Sequence, residues 1–176
     1  MRRILPYLSL LAALVAPCPA WGLYGAAADR PAVGADAPRF AVPRHEGPDF
    51  DLGPLLGQKA VLLAFWSIYC VSCVQEMPKL VEIYKRHSEN LEIVGIDMDS
   101  FGTKRVAQFI KGLDYRIPYP VVIDRDRQIG ARYGVSELPT TILIDRTGKI
   151  AYYHVNYAEG DEAEIEEKVK KAIEAR

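Results

Sequence analysis

Short, nearly uninterrupted apolar runs alternate along the chain with longer stretches in which apolar residues recur every three or four positions. Residues 61–66 and 91–97 are runs of strand length without a polar face, the pattern of strands covered on both sides. Between them, residues 70–87 read as a helix with Val74, Met77, Val81 and Tyr84 facing inward and Leu80 and Ile83 widening that face. Pro78 removes one of its internal hydrogen bonds and should bend it. Residues 104–113 repeat the helical period through Val106, Phe109, Ile110 and Leu113. A short strand at 120–123 and a short helix at 125–133 follow, then a hairpin of 140–144 and 149–154 across Arg146-Thr147-Gly148. The last helix takes Asp161 as N-cap and Glu164 at N3, carries Lys168, Lys170 and Lys171 late, and buries Ile165, Val169, Ala172 and Ile173. Upstream, 39–42 and 49–52 predict a small hairpin around the polar loop 43–48, with a turn of helix near Leu55. Strand-helix-strand units followed by an antiparallel hairpin and a closing helix give an α/β layering.

The first residues follow another pattern. Arg2 and Arg3 precede an apolar run, 4–16, interrupted by Pro6, which has the size of a signal-peptide core and is short for a bilayer span. Export is the expectation, with small residues at Ala20, Gly22 and Ala26 to Ala28 as cleavage positions and retention as a membrane anchor as the alternative. Val15-Ala16-Pro17-Cys18 has some likeness to a lipobox, from which Pro17 departs, so lipidation of Cys18 is a lesser alternative. Residues 1–28 are thus assigned to a leader, with an Ala-, Gly- and Pro-rich tether to about 34, and 35–176 to one domain. Roughly 150 residues suffice for one mixed core and not for two ordinary domains. A formal charge of −1 and no basic cluster after the leader leave no electrostatic footprint for nucleic acid.

The chemistry is concentrated in Cys70-Val71-Ser72-Cys73, where an apolar strand gives way to a helix. A helix N-terminus stabilises a thiolate on the first sulfur, so Cys70 is the candidate nucleophile. Cys73, one turn on, can attack a mixed disulfide at Cys70, letting the pair cycle between dithiol and a Cys70–Cys73 disulfide. Half of a zinc site is the competing reading, but structural zinc needs four ligands. The remaining cysteine is Cys18, and His45, His87 and His154 lack ligand spacing, so neither metal nor other cofactor is expected.

Several ordered segments around this pair resemble the TlpA/ResA-like thiol-disulfide oxidoreductases of the thioredoxin superfamily. They are AVLLAFWSIYC ending at Cys70, CVQEMP from Cys73, LEIVGID from Leu91 and GVSELPTTILID from Gly134. The resemblance covers about Val33 onward and implies a thioredoxin-like fold: a central mixed sheet flanked by helices, an N-terminal hairpin and a strand-helix insertion. It also implies a cis proline at Pro139 beside the cysteines, with the backbone of Leu138 pairing a substrate segment. By the same likeness Trp66 flanks the active loop, and Glu76 tunes proton transfer one turn beyond Cys73. Without the resemblance Glu76 reads as a solvated helix glutamate, whose substitution would cost within about 0.5 kcal/mol. Ala64 stands where cytoplasmic thioredoxins carry a buried aspartate, which shifts any proton role to Glu76 or water. Val71-Ser72 departs from the intervening pairs of relatives, so no redox potential carries over.

The family resemblance further implies a monomer of the bacterial envelope, taking electrons from a membrane thiol reductase and passing them to disulfides of client proteins. Reduction of apocytochrome c before haem attachment is one task of that family. Two other functions remain open on the residues. A peroxiredoxin would use Cys70 against peroxide with Ser67 as the hydroxyl three positions before it, although Leu63 stands where a proline is expected. A Sco-like copper chaperone would use the cysteines with His154, although it calls for one more residue between them.

Overall fold

The computed structural model describes residues 30–176, so the leader, its cleavage positions and Cys18 lie outside the described residues. In chain order the elements are β1 (Ala41–Val42), β2 (Phe50–Asp51), one 3-10 turn (Gly53–Leu55), β3 (Ala60–Trp66), α1 (Val71–His87), β4 (Leu91–Asp97), α2 (Thr103–Lys111), β5 (Val121–Ile123), α3 (Gln128–Arg132), β6 (Thr140–Ile144), β7 (Ile150–Val155) and α4 (Asp161–Glu174). Every residue of β3 is buried, because it runs through the middle of a five-stranded sheet ordered β5-β4-β3-β6-β7. β4 and β5 extend the sheet in parallel on one side of β3, and β6 and β7 in antiparallel fashion on the other. The small hairpin β1–β2 pairs antiparallel, as its sequence predicts.

Strand alternation divides the core between the two faces. Leu62 and Ala64 of β3 join Leu80, Val81 and Ile83 of α1 and Ile165, Val169 and Ala172 of α4. Val61, Leu63 and Phe65 point the other way, to Phe40 and Phe50 of the N-terminal hairpin region and to Ile129 and Tyr133 around α3. Nearer the C-terminal end of β3, Trp66 packs with Cys73 and Met77 of α1 and Val106 of α2. The active-site helix is therefore held by apolar contacts on both flanks. Removing one such side chain, as in Leu80→Ala, should cost about 2–5 kcal/mol.

Two local expectations are corrected. Gly160, with φ of 107°, caps α4 in place of Asp161, which is the first helical residue. A left-handed entry suits glycine, and it frees Asp161 to accept from the Ala158 amide at 2.8 Å and to contact His154 Nε2 at 3.1 Å. Glu164 accordingly does not reach back to a cap; it accepts from the Tyr152 hydroxyl. On α1 the buried seam is Cys73, Glu76, Met77, Leu80, Val81 and Ile83, while Val74 and Tyr84 lie at its margins. The helix continues across Pro78, which leaves the Val74 carbonyl without its helical donor.

Candidate active site

Strand β3 ends at Trp66, and the chain crosses the end of the sheet in four residues before α1 begins, which sets Cys70 at the N-cap of that helix. Cys70 and Cys73 form a disulfide with Cα atoms 5.2 Å apart, and the Cys73 amide donates to Cys70 Sγ at 3.2 Å. The two sulfurs differ in access: Cys70 is half-buried, whereas Cys73 is 1% exposed and packed among Trp66, Met77 and Val106. In the reduced protein the first sulfur meets both solvent and the unsatisfied amides of the helix terminus, the combination that favours a thiolate nucleophile.

Glu76 is 3% exposed, contrary to the solvated position expected from sequence. Its Oε1 accepts from the Thr141 hydroxyl at 2.7 Å. Thr141 of β6 lies directly opposite Ala64 of β3, so the carboxyl from α1 comes to the part of the sheet where Ala64 provides no acid of its own. Burial pushes Glu76 up from 4.5 to about 7; the Thr141 hydrogen bond holds it down in part, and the charge of Asp161 adds to the rise. A group titrating there can hold or release a proton near neutrality, one helical turn from the buried sulfur.

A second acidic group lies under the approach to Cys70. Asp99 takes the Ser67 hydroxyl on Oδ1 at 2.7 Å and the Ile68 amide on Oδ2 at 2.9 Å, and Ser67 Oγ in turn accepts from the Tyr69 amide at 3.1 Å. Three successive residues before the nucleophile are thus tied to one buried carboxylate. Asp97, opposite Trp66 in the parallel ladder, is fully buried and receives the Asp99 amide on Oδ2 at 3.3 Å. Burial, then the neighbouring Asp99 carboxyl, pushes Asp97 up to about 8. Asp97 Oδ1 and Trp66 Nε1 have no partner among the described residues. Sequence reasoning missed Thr141, Asp97 and Asp99; the available signal was a pair of acids closing a buried strand.

The Leu138–Pro139 peptide bond is cis. Leu138 and the half-buried Cys70 both pack against the buried cluster that contains Trp66 and Cys73, and the β3–β6 ladder starts only at Thr140, which leaves the Leu138 backbone outside the sheet. Trp66 itself is buried against Phe109, with ring centroids 5.7 Å apart, so the aromatic side chain exposed at the site is Tyr69 and not Trp66. The features that the two other readings required are engaged elsewhere. Ser67 donates to Asp99, and both ring nitrogens of the half-buried His154 are occupied, Nδ1 with the Tyr152 hydroxyl at 3.0 Å and Nε2 with Asp161.

A disulfide across the first turn of a helix, one sulfur accessible and the other buried, beside a cis proline on this sheet, defines a redox protein of the thioredoxin superfamily. The AhpC/TSA family model matches residues 33–153, and the chain belongs to that family. Within it the chain falls in the TlpA/ResA-like group. It is 39% identical over 119 residues to the thiol-disulfide oxidoreductase ResA of Bacillus thuringiensis (strain Al Hakam), an alignment spanning 67% of this chain and 66% of that protein. Among solved structures, a thiol:disulfide interchange protein of the thioredoxin family from Chlorobium tepidum TLS matches with a TM-score of 0.69 at 26% identity, over 81% of this chain and 98% of that one. A secreted Mycobacterium tuberculosis disulfide oxidoreductase matches with a TM-score of 0.65 at 25% identity, over 75% and 95%.

Proposed function

We propose that this chain is an exported thiol-disulfide oxidoreductase that reduces disulfides of client proteins in the bacterial envelope. The observation that carries the reading is the unequal access of the two sulfurs at the start of α1. The Cys70 thiolate attacks one sulfur of a client disulfide; a Cys70–client bond forms, the client S–S bond breaks, and the leaving sulfur takes up a proton. Cys73 then loses its proton and attacks Cys70 Sγ, closing the intramolecular disulfide and releasing the second client thiol. Two electrons pass from the dithiol to the client. Glu76, titrating at about 7, is the group that accepts the Cys73 proton. The Leu138 backbone, lying outside the ladder against the cluster that Cys70 also borders, pairs with the client segment during the attack.

The leader pattern in residues 1–28 supports export, and the secreted mycobacterial relative is consistent with it. No described helix is long and apolar enough to cross a membrane. Electrons come from a membrane thiol reductase, the protein works as a monomer, and apocytochrome c before haem attachment is the leading client. Reduction of insulin disulfides in the presence of a dithiol tests the activity, with turnover expected from the parent and none from Cys70→Ser. N-terminal sequencing of the protein from fractionated cells tests the export: a start at or beyond residue 20 in the envelope is expected. An intact chain in the cytosol would remove the claim.

A further inference from the structure

The exposed large apolar side chains of the described residues are Val33, Tyr69, Val71 and Phe101; two of the four flank Cys70 in the chain and a third packs on one of these. Tyr69 (61% exposed) and Val71 (73%) are the chain neighbours of Cys70. Phe101 (59%) comes from the β4–α2 connection and meets Tyr69 edge-on, with ring centroids 5.8 Å apart and planes at 71°. Single exposed apolar residues are ordinary, but a contiguous group beside a reacting atom marks a binding surface. Arg105 completes the group: its guanidinium lies 4.9 Å from the centre of the Phe101 ring, and its Nη1 donates to the Tyr69 hydroxyl at 2.9 Å. The three side chains therefore brace one another in the open.

Charge narrows what this surface fits. Most cations on α1 and α4 are matched by carboxylates, as in Lys79–Glu162, Arg86–Glu166 and Lys171–Glu167. Lys104 and Arg105 pair with no carboxylate among the described residues, and the first turn of α2 contains no acid. A guanidinium has five donors, of which the Tyr69 hydroxyl takes one, leaving its fork free for a bidentate acceptor. Tyrosine and arginine are also the residue types over-represented among those that dominate binding energy at interfaces.

Resting on the oxidoreductase reading of Cys70, we infer that Tyr69, Phe101 and Arg105 form a docking shelf for client segments that carry an apolar side chain and a carboxylate next to the cysteine under attack. The apolar side chain covers the Phe101–Tyr69 edge, and the carboxylate meets Arg105. Continuity with Cys70 through Tyr69 aligns the client sulfur with the nucleophile. Selection among clients thus resides on α2 and the segment before it as well as around Pro139.

Single-turnover reduction of short peptides, each holding a chromogenic thiol in disulfide linkage to its cysteine, tests this. Three peptides flank that cysteine with Phe and Asp, with Phe and Lys, or with Ser and Asp, and the released thiol reports the rate. The reduced parent should favour Asp over Lys by about tenfold at low salt, with the ratio shrinking as salt rises. It should also favour Phe over Ser severalfold. Arg105→Gln should bring the Asp/Lys ratio to about one, and Phe101→Ser the Phe/Ser ratio to about one. Each ratio is taken within one variant, so a loss of rate common to all peptides cancels. Parent ratios near one, or parent-like ratios in both variants, would overturn the shelf and leave the oxidoreductase reading standing. No thiol release from any peptide by the parent would overturn that reading, and the shelf with it.

Discussion

Glu76→Gln isolates the charge of one buried carboxyl. The variant amide keeps an oxygen that accepts from Thr141, so packing and the 2.7 Å hydrogen bond are retained while ionisation is lost. In the folded parent the carboxyl titrates at about 7, against 4.5 for an unperturbed glutamate. Between those values the folded state holds a proton that the unfolded state has released, so parent stability falls as pH rises from 4.5 to 7. At about 1.4 kcal/mol per unit the effect amounts to about 3 kcal/mol, fully developed only above the folded value. Asp97, pushed up from 3.8 to about 8, lowers stability in the same direction over a wider range that includes this one, but it does so in parent and variant alike. Urea unfolding of the oxidised proteins, whose cysteines do not titrate, gives the comparison without interference from thiols. Parent and Glu76→Gln should be alike near pH 4, and the variant should be the more stable by about 3 kcal/mol at pH 8. A difference that stays constant over this pH range would refute the burial of an ionisable carboxyl at this position.

Three further outcomes follow from the site. Cys73→Ser should accumulate mixed disulfides with clients, visible on non-reducing gels, whereas Cys70→Ser should trap none; the opposite pattern would exchange the roles of the sulfurs. Asp99→Ala leaves the Ser67 hydroxyl and the Ile68 amide without their acceptor and should destabilise by about 2–4 kcal/mol in urea unfolding, with a loss under 1 kcal/mol speaking against the tether. Thr141→Val removes the one hydrogen bond that holds Glu76 down, so the carboxyl titration followed by carbon NMR should move above the parent's; an unchanged midpoint would deny the contact.

Strands β3, β4 and β6 were legible almost to the residue, because a strand covered on both faces needs an unbroken apolar run and turn residues stop it at each end. The cysteine pair was legible because its chemistry depends on spacing within a few residues, whereas the cis proline was legible only through the family resemblance. Glu76 was harder to place. Helical spacing placed it one turn from Cys73, yet an ionisable side chain is ordinarily assigned outward, and only the pairing of Thr141 with Ala64 across β6 and β3 reveals where its carboxyl goes. The Asp161 cap failed for a similar reason: the local motif competed with a glycine whose left-handed conformation takes the cap and with a histidine that takes the carboxylate. Asp99, Phe101 and Arg105 act on residues about 30 to 36 positions earlier in the chain. Such contacts arise from the parallel alignment of β3 with β4 and leave no periodic trace in sequence.

The central claim, that Cys70 is the attacking sulfur and Cys73 the sheltered one, is tested most directly by alkylation of the fully reduced, folded protein with limiting iodoacetamide, followed by peptide mass mapping. Cys70, half-buried at the helix terminus, should carry essentially all of the label, and Cys73, 1% exposed, should remain unmodified until the protein is unfolded. Label on Cys73 first, or on both cysteines at equal rates, would contradict the account.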